Sequence, residues 1–321
     1  MLTRLFTMGG LLVFASLAIG QQYPNKAIRW IVPFAAGGPQ DVLTRAIAPE
    51  LSNLLKVPVI VDNRAGAGGS VAMIELARAA PDGYTIAIAH VGTHAINPHL
   101  LPDTAFNPFK DHVFVAPIYS YTMVLLINPG LPVKNGADLI AYAKANPNNV
   151  SFGSGGIGTS THLAAEALKA LSGTPMLHVA YKGSAPALVA LLSGEVTYVF
   201  NNLSTALPQI RAGKVRALAV SSSARSAFAR DIQTLRESGV PGFDKIFPEL
   251  WGGLFAPAGL PKPIVDRLST EMGKSLNNKA VVEKLEGLAI DVWRFPREEF
   301  PAFLRGEYEK WGKLVKSSGA K

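Results

Sequence analysis

The stretch SFGSGGIGTSTHLAAEALKAL, Ser151 to Leu171, constrains this chain more than any other. A short strand runs into glycines at 153, 155, 156 and 158 and then into an amphipathic helix. A strand feeding a helix through so bare a loop belongs to an α/β architecture, and glycine lets backbone approach a ligand with no side chain in the way. Thr159, Ser160 and Thr161 follow, and any of them can cap a helix that begins near His162. The amides of a helix's first turn lack intrahelical partners and carry the positive end of its dipole. The expected guest is therefore an anion, a carboxylate or a phosphate. IRWIVPFAAGGPQDVLTRAIAPEL, Ile28 to Leu51, repeats the plan: a strand, Gly37-Gly38, Asp41 and an amphipathic helix. Two such helix starts, far apart in sequence, point to one anion gripped from two sides.

The remainder alternates in the same way. Strands are expected at 57–61 and 85–90, with the glycine loop NRAGAGGS (Asn63 to Ser70) and a helix between them. This alternation predicts a parallel, doubly wound sheet. VFVAPIYSYTMVLLI, Val113 to Ile127, reads as one strand long enough to cross between domains. A second α/β unit follows over roughly residues 122–222, and ELWGGLFAPAGLP, Glu249 to Pro261, reads as a strand returning to the first. The expected organisation is domain 1 from 21–121 and 223–321, with domain 2 from 122–222. Helices complete the chain near 262–276, 280–285 and 298–317.

The first 20 residues, MLTRLFTMGGLLVFASLAIG, have the form of an export leader, with Arg4 ahead of an apolar core and small residues at Ala18 and Gly20. That core is shorter than the roughly 20 residues a bilayer-spanning helix needs, so cleavage before Gln21 and release outside the cytoplasm are expected. The whole chain carries a net charge of +8, and loss of Arg4 leaves +7. The basic residues are scattered, without the stripe and stacking aromatics that nucleic acid requires. With no cysteine present, disulfides, thiolate catalysis and Cys-ligated zinc are excluded. GSGGIG fits G-x-G-x-x-G, but no acid for a ribose stands about 20 residues on, so no dinucleotide and no other cofactor is expected. His90, His94 and His99 have neither helical zinc-site spacing nor strand alternation, so no metal is expected. No Ser-His-Asp order or nucleophile elbow points to catalysis.

Seven signatures then coincide in order: YPNKAIRWIVPFAAGGPQDVLTR, VDNRAGAGGSVA, APDGYTIAI, GTHAINPHL, GSGGIGTSTHLAAE, YKGSAPALVALLSGEV and RAGKVRALAVSSSARS. Together, from Tyr23 to about Lys316, they closely resemble the Bug family, the extracytoplasmic solute receptors of tripartite tricarboxylate transport systems. The resemblance implies a two-lobed periplasmic-binding-protein fold of type II. Each lobe is a doubly wound sheet, crossover strands join the two, and the lobes close on a small carboxylate. It implies a monomer in the periplasm that delivers its ligand to a two-subunit membrane permease. In the family a ligand carboxylate is held largely by backbone groups and ordered waters between two loops, which match Phe34 to Asp41 and Gly153 to Thr161 here.

The candidate contacts in the first loop are Phe34, Ala36, Gly37, Gly38 and Asp41, although Asp41 also suits a helix start. Those in the second are Gly153, Ser154, Gly155, Gly158, Thr159, Ser160 and Thr161. Strand ends, where α/β ligands bind, add Thr93, His94, Tyr181, Asn201 and Asn202. Lys182 suits either a distal carboxylate or solvent. Family members often carry Asp in a segment like VDMMFDN; here it reads VTYVFNN, with Thr197 and Asn201 in the acidic positions. A buried ammonium without a carboxylate partner is costly, so a di- or tricarboxylate or an aromatic carboxylate is favoured over an amino acid. The other readings are an exported α/β enzyme using the same cleft and a ligand-sensing receptor for a two-component system.

Overall fold

The computed structural model describes residues 23–101, 105–243 and 250–318; the expected leader, within residues 1–22, lies outside them. Eleven strands form two sheets among the described residues. The first sheet takes β1 (Ile28–Val32), β2 (Val59–Asn63), β3 (Thr85–His90) and β4 (His112–Tyr121), and later β10 (Leu250–Pro257) and β11 (Asp291–Val292), in the order β11-β4-β10-β3-β1-β2. The second takes β5 (Met123–Ile127), β6 (Ser151–Ser154), β7 (Leu177–Ala180), β8 (Tyr198–Asn202) and β9 (Arg216–Val220), in the order β7-β6-β8-β5-β9. The chain is thus a two-lobed α/β protein.

The expected parallel sheets are instead mixed, chiefly because of one strand in each lobe, with the two-residue β11 also running against β4. Strands β1, β2 and β3 are parallel, as are β6, β7 and β8. In the second sheet β5 runs antiparallel to β8 and β9, and in the first β10 runs antiparallel to β3 and β4. Both are the strands that have just crossed from the other lobe. A strand entering at the hinge starts where its neighbours end, so it must run against them. The expected long strand from Val113 is two, β4 and β5, divided at Thr122 where the chain changes sheets.

Helices α1 (Pro39–Leu55), α2 (Ser70–Ala77) and the short α3 (Asn97–Leu100), which continues a π-helical turn at Gly92–Ile96, belong to lobe one. Lobe two holds α4 (Gly136–Ala145), α5 (Ser160–Ser172), α6 (Ser184–Ser193) and α7 (Leu203–Arg211). Returning to lobe one, α8 (Lys262–Asn277) buries Val265, Leu268, Met272 and Leu276, an apolar stripe at helical spacing. It is followed by α9 (Lys279–Gly287) and α10 (Phe300–Ser318). The C-terminal helix is pinned by polar bonds as well as apolar area. Glu307 accepts from the indole N–H of both Trp251 and Trp311, each at 3.0 Å, and all three side chains are buried. Burying a large apolar side chain stabilises by roughly 1.5–3 kcal/mol. Trp30, Trp251 and Trp311 therefore anchor lobe one around the sheet whose upper rim carries the site.

Candidate functional site

Helix α1 starts without a side-chain cap: Gly38 is the N-cap and Pro39 the first helical residue. Its loop is braced from below instead. The Asp41 carboxylate accepts from the Gly37 amide and from Arg45 Nε, both at 2.9 Å. Asn63 donates to the Phe34 carbonyl at 3.0 Å and accepts from Arg45. Asp41 is buried and engaged with its own loop, so it acts as a helix-start residue. Gly37 sits at φ +79°, a backbone state that favours glycine.

Helix α5 is capped by Thr159, whose hydroxyl accepts from the His162 amide at 3.2 Å. The preceding loop satisfies its amides with nearby side chains: Gly155 donates to Thr161 Oγ1 (2.9 Å), Gly156 to Ser154 Oγ (3.2 Å) and Gly158 to His162 Nδ1 (3.4 Å). The loop amides are thus partly spoken for, and the first-turn amides of Ser160 and Thr161 in α5, with Gln40 and Asp41 in α1, are the groups that no i−4 carbonyl can reach.

The two helix starts converge on one strand. Tyr119 and Tyr121, two residues apart on β4, present their rings on the same face at 5.4 Å. Gln40 Nε2, in the first turn of α1, donates to the Tyr119 hydroxyl at 3.1 Å, while the Tyr121 hydroxyl lies 3.1 Å from Ser160 Oγ, in the first turn of α5. All four residues are buried. Burial holds Tyr121 up to about 12 and Tyr119 well above its ordinary value, so both phenols are neutral.

Above this floor the lobes meet backbone to backbone. A side chain at Gly68 would run into the Ile157 carbonyl, and one at Gly158 into the Asn97 amide. Gly183 faces Phe34 and Ala35 at 3.7 Å from where its Cβ would stand. The seam encloses a cavity of about 220 Å³ lined by Phe34 and Gly66–Gly69 from lobe one and by Gly155–Ile157 and Ala180–Lys182 from lobe two. Lys182 is the one ionised side chain among its described lining residues, and it is exposed. A wider hollow of about 550 Å³ lies on the outer face of lobe two, where the guanidinium of Arg216 is spent on the carbonyls of Pro129, Leu131 and Val133; it reaches neither helix start. No group of three or more metal-ligating side chains is gathered among the described residues, and no described helix is long and apolar enough to cross a membrane.

Of the residues singled out in sequence, Phe34, Gly155 and Tyr181 line the seam. Ala36, Gly37, Gly38 and Asp41 form the α1 start, and Gly153, Ser154, Gly158, Thr159, Ser160 and Thr161 form the α5 start. Others are turned elsewhere. The Tyr181 hydroxyl donates to Glu195 at 2.7 Å. Thr93 spends its hydroxyl on the His90 carbonyl. His94 packs among Phe106, His112 and Phe255, with ring centroids 4.2–6.1 Å away, inside lobe one. The Asn201 amide is taken up by Ser184 O, Asn202 N and Thr205 Oγ1. Asn202 is the N-cap residue of α7, and its side chain makes no cap bond. Thr197 bonds Ser151 at the far end of β6 from the glycine loop, so its lack of charge carries no message about the ligand.

The floor residues Gln40, Tyr119 and Tyr121 and the seam residues Gly66–Gly69, Asn97 and Gly183 escaped sequence reasoning. The alternating tyrosines of β4 and the glycines of NRAGAGGS were their visible signals. In sequence His90 suggests only a metal ligand, yet it lies at the seam beside Phe34, with ring centroids 5.2 Å apart.

Comparisons with known proteins agree with this two-lobed fold. The profile of the tripartite tricarboxylate transporter family receptors matches residues 43–320. Protein BugT of Bordetella pertussis is 33% identical over 325 residues, covering 100% of this chain and 99% of BugT. The structure of the periplasmic binding protein BugD superposes with a TM-score of 0.88 at 32% identity, over 93% of this chain and 99% of BugD. MatC from Rhodopseudomonas palustris, solved with bound malate, superposes with a TM-score of 0.86 at 33% identity, over 91% of this chain and 100% of MatC. The matching family is one of transporter receptors and BugD is a periplasmic binding protein, so this chain is a receptor rather than an enzyme. With a family profile spanning most of its length and full-length relatives of one architecture, this chain belongs to the tripartite tricarboxylate transporter receptor family.

Proposed function

We propose that this protein is a periplasmic receptor that binds a small carboxylate between its lobes and presents it to a tripartite tricarboxylate-type membrane permease. The carboxylate takes the first-turn amides of α1 and α5, with ordered water filling what they leave. The observation that carries this reading is the convergence of two helix starts, one from each lobe, on Tyr119 and Tyr121 of the crossing strand. Two positive helix ends aimed at one floor favour an anion from both sides. The malate bound to MatC, a relative of the same architecture, supports the carboxylate class. The ligand class proposed is a di- or tricarboxylate or an aromatic carboxylate. No acidic side chain lines the seam among the described residues, so an ammonium group finds no counter-charge there. The leader is removed near Gly20, and the receptor works as a monomer. Closure follows from differential affinity: a ligand touching both lobes binds the closed form better and draws the population toward it.

Calorimetry and thermal melting of the mature chain, residues 21–321, against malate, citrate, adipate, benzoate and aspartate test this. A carboxylate is expected to raise the melting temperature with the logarithm of its concentration once that exceeds Kd and to shrink the radius of gyration in solution scattering. A chain that ignores the four acids without an amino group and binds aspartate tightly would sink the reading.

A further inference from the structure

His90 stands at the C-terminal end of β3 and is 2% exposed. Its ring is fixed at one end: Nδ1 accepts the Gly92 amide at 2.9 Å, so in the neutral ring the proton sits on Nε2. That Nε2 is buried and has no hydrogen-bond partner. A buried donor left unmade is expensive, and in a folded chain such a group asks for a cause.

Strand register places it. In the antiparallel ladders Gly252 is opposite both His90 and Tyr119, so the three share one row and one face of the sheet. Gly252 contributes no side chain, and the Tyr119 ring lies over it so closely that a Cβ there would overlap the ring. His90 is thereby the next side chain in line after the tyrosine floor under the start of α1. Phe34, which lines the seam cavity, packs against its ring with centroids 5.2 Å apart, and the Gly158 carbonyl of lobe two and His90 Cε1 both lie near the point where a Gly92 side chain would project. The imidazole therefore sits where the lobes meet, at the foot of the α5 loop.

We propose that the Nε2–H of His90 selects the ligand by donating to an oxygen acceptor on the part of it that lies deepest in the cleft. This rests on the carboxylate-receptor reading and narrows it: the guest bears a hydroxyl, a carbonyl or a second carboxylate beyond the one held by the helix starts. Tyr119, which accepts from Gln40, keeps its own proton to offer to the same acceptor. A floor of neutral donors suits an oxygen-rich acid and gives a plain alkyl chain nothing.

The test measures malate, adipate and hexanoate binding by calorimetry to the mature wild type, His90→Phe and His90→Gln. Hexanoate is the probe without a second acceptor. The phenylalanine fills the ring's place without a donor, and the glutamine keeps one. His90→Phe is expected to lose roughly tenfold or more in affinity for whichever dicarboxylate the wild type prefers, the scale of one hydrogen bond to a charged acceptor. Hexanoate affinity should be unchanged, and His90→Gln should recover part of the loss. Long-range ¹H–¹⁵N correlation on the wild type, which needs no variant to fold, should show the Nε2–H tautomer and move the Nε2 signal on ligand addition. The proposal is overturned if His90→Phe keeps the wild-type ratio of dicarboxylate to hexanoate affinity, or if the proton is on Nδ1. Wild type binding none of the three acids, nor citrate or benzoate, overturns the receptor reading and this inference together; wild type binding with an unchanged ratio in the variant overturns this inference alone.

Discussion

The two helix starts have the same outline and opposite chemistry. In lobe one the loop before α1 is braced by charge, Asp41 against Gly37 and Arg45, with Asn63 linking Arg45 to Phe34. In lobe two the loop before α5 is braced by neutral groups. Ser154 joins Gly156 to His178 Nε2 (2.7 Å), and His162, stacked on His178 at 4.2 Å, takes the Gly158 amide. Both devices hold loop amides still. The first sits at the surface, with Arg45 about half exposed, and answers to salt; the second is packed inside and answers to acid. A glycine loop thus fixes where backbone can approach, while its neighbours decide under which conditions it stays there.

The largest difference between the loops should appear at the seam, where loop two is locked against Gly68 and Asn97 and loop one enters only through Phe34 and Ala35. Gly158 has φ +79° and lies against the Asn97 amide, which is itself held by Gly68 O and Ser70 Oγ. Gly158→Ala adds left-handed strain of about 1–2 kcal/mol and a Cβ that the closed lobes cannot accommodate. Carboxylate affinity is expected to fall about 100-fold or more, and ligand-induced compaction in solution scattering should disappear. Adding Asn97→Ala should return part of the closure by making room. Gly37→Ala carries similar strain but no clash, since nothing lies within 4 Å of its added Cβ; it should cost affinity while leaving compaction intact. Equal loss of compaction in both variants would erase the contrast.

Acid should separate the two devices next. Burial depresses His162 to about 3 and His90 to about 3, and His178 and His112 to about 4. Above the ordinary histidine value, near 6.5, these rings are neutral in both folded and unfolded chains, so they add no pH dependence there. Between about 6.5 and 4 the unfolded chain takes up protons that the folded chain refuses, so stability falls as pH falls. The melting temperature should be flat from pH 8 to 7 and drop progressively below 6.5. His162→Asn should flatten that decline by one group's share and, because protonated Nδ1 cannot accept from Gly158, blunt the acid sensitivity of ligand binding as well. A melting temperature that rises on acidification would refute the assignment.

Both loops were legible in sequence because glycine clusters and cap residues are local signals. Thr159 caps α5 and Pro39 opens α1, within two residues of expectation. The crossing at Thr122 was legible from the unusual length of the Val113–Ile127 run. The mixed sheets were not, since strand direction depends on which lobe the chain has just left, and periodicity is blind to that. The floor was missed for a related reason. Gln40, Tyr119 and Tyr121 meet one another and Ser160 through contacts 39 to 79 residues apart, which no local pattern announces. Thr197 shows the reverse error: a difference from the family's usual pattern suggested a ligand preference, and the residue bonds Ser151 at the end of β6 away from the glycine loop.

A smaller effect tests the charged brace alone. Asp41→Ala removes the acceptor of the Gly37 amide and of Arg45. The expected loss is about 1 kcal/mol in urea unfolding, the usual worth of a helix-start acceptor. Since the Arg45 partner is about half exposed, little more is expected from the ion pair. About 1 M salt should narrow the gap between wild type and variant by screening that pair, whereas it should leave the gap for His162→Asn unchanged.

The smallest effect is expected at Lys182, and its size discriminates between two ways of holding the anion. If first-turn amides of the two helices do the holding, Lys182 contributes only a field at the rim, and Lys182→Ala weakens carboxylate binding about two- to fivefold at low salt, mainly through the association rate. Because the side chain is exposed, that difference should vanish in about 0.5 M salt, where the Debye length is only a few ångströms. A hundredfold loss that persists in high salt would mean a desolvated ammonium–carboxylate pair inside the cleft. The symmetry between the two helix starts would then be incidental, with lobe two binding by a side chain and lobe one merely closing over it.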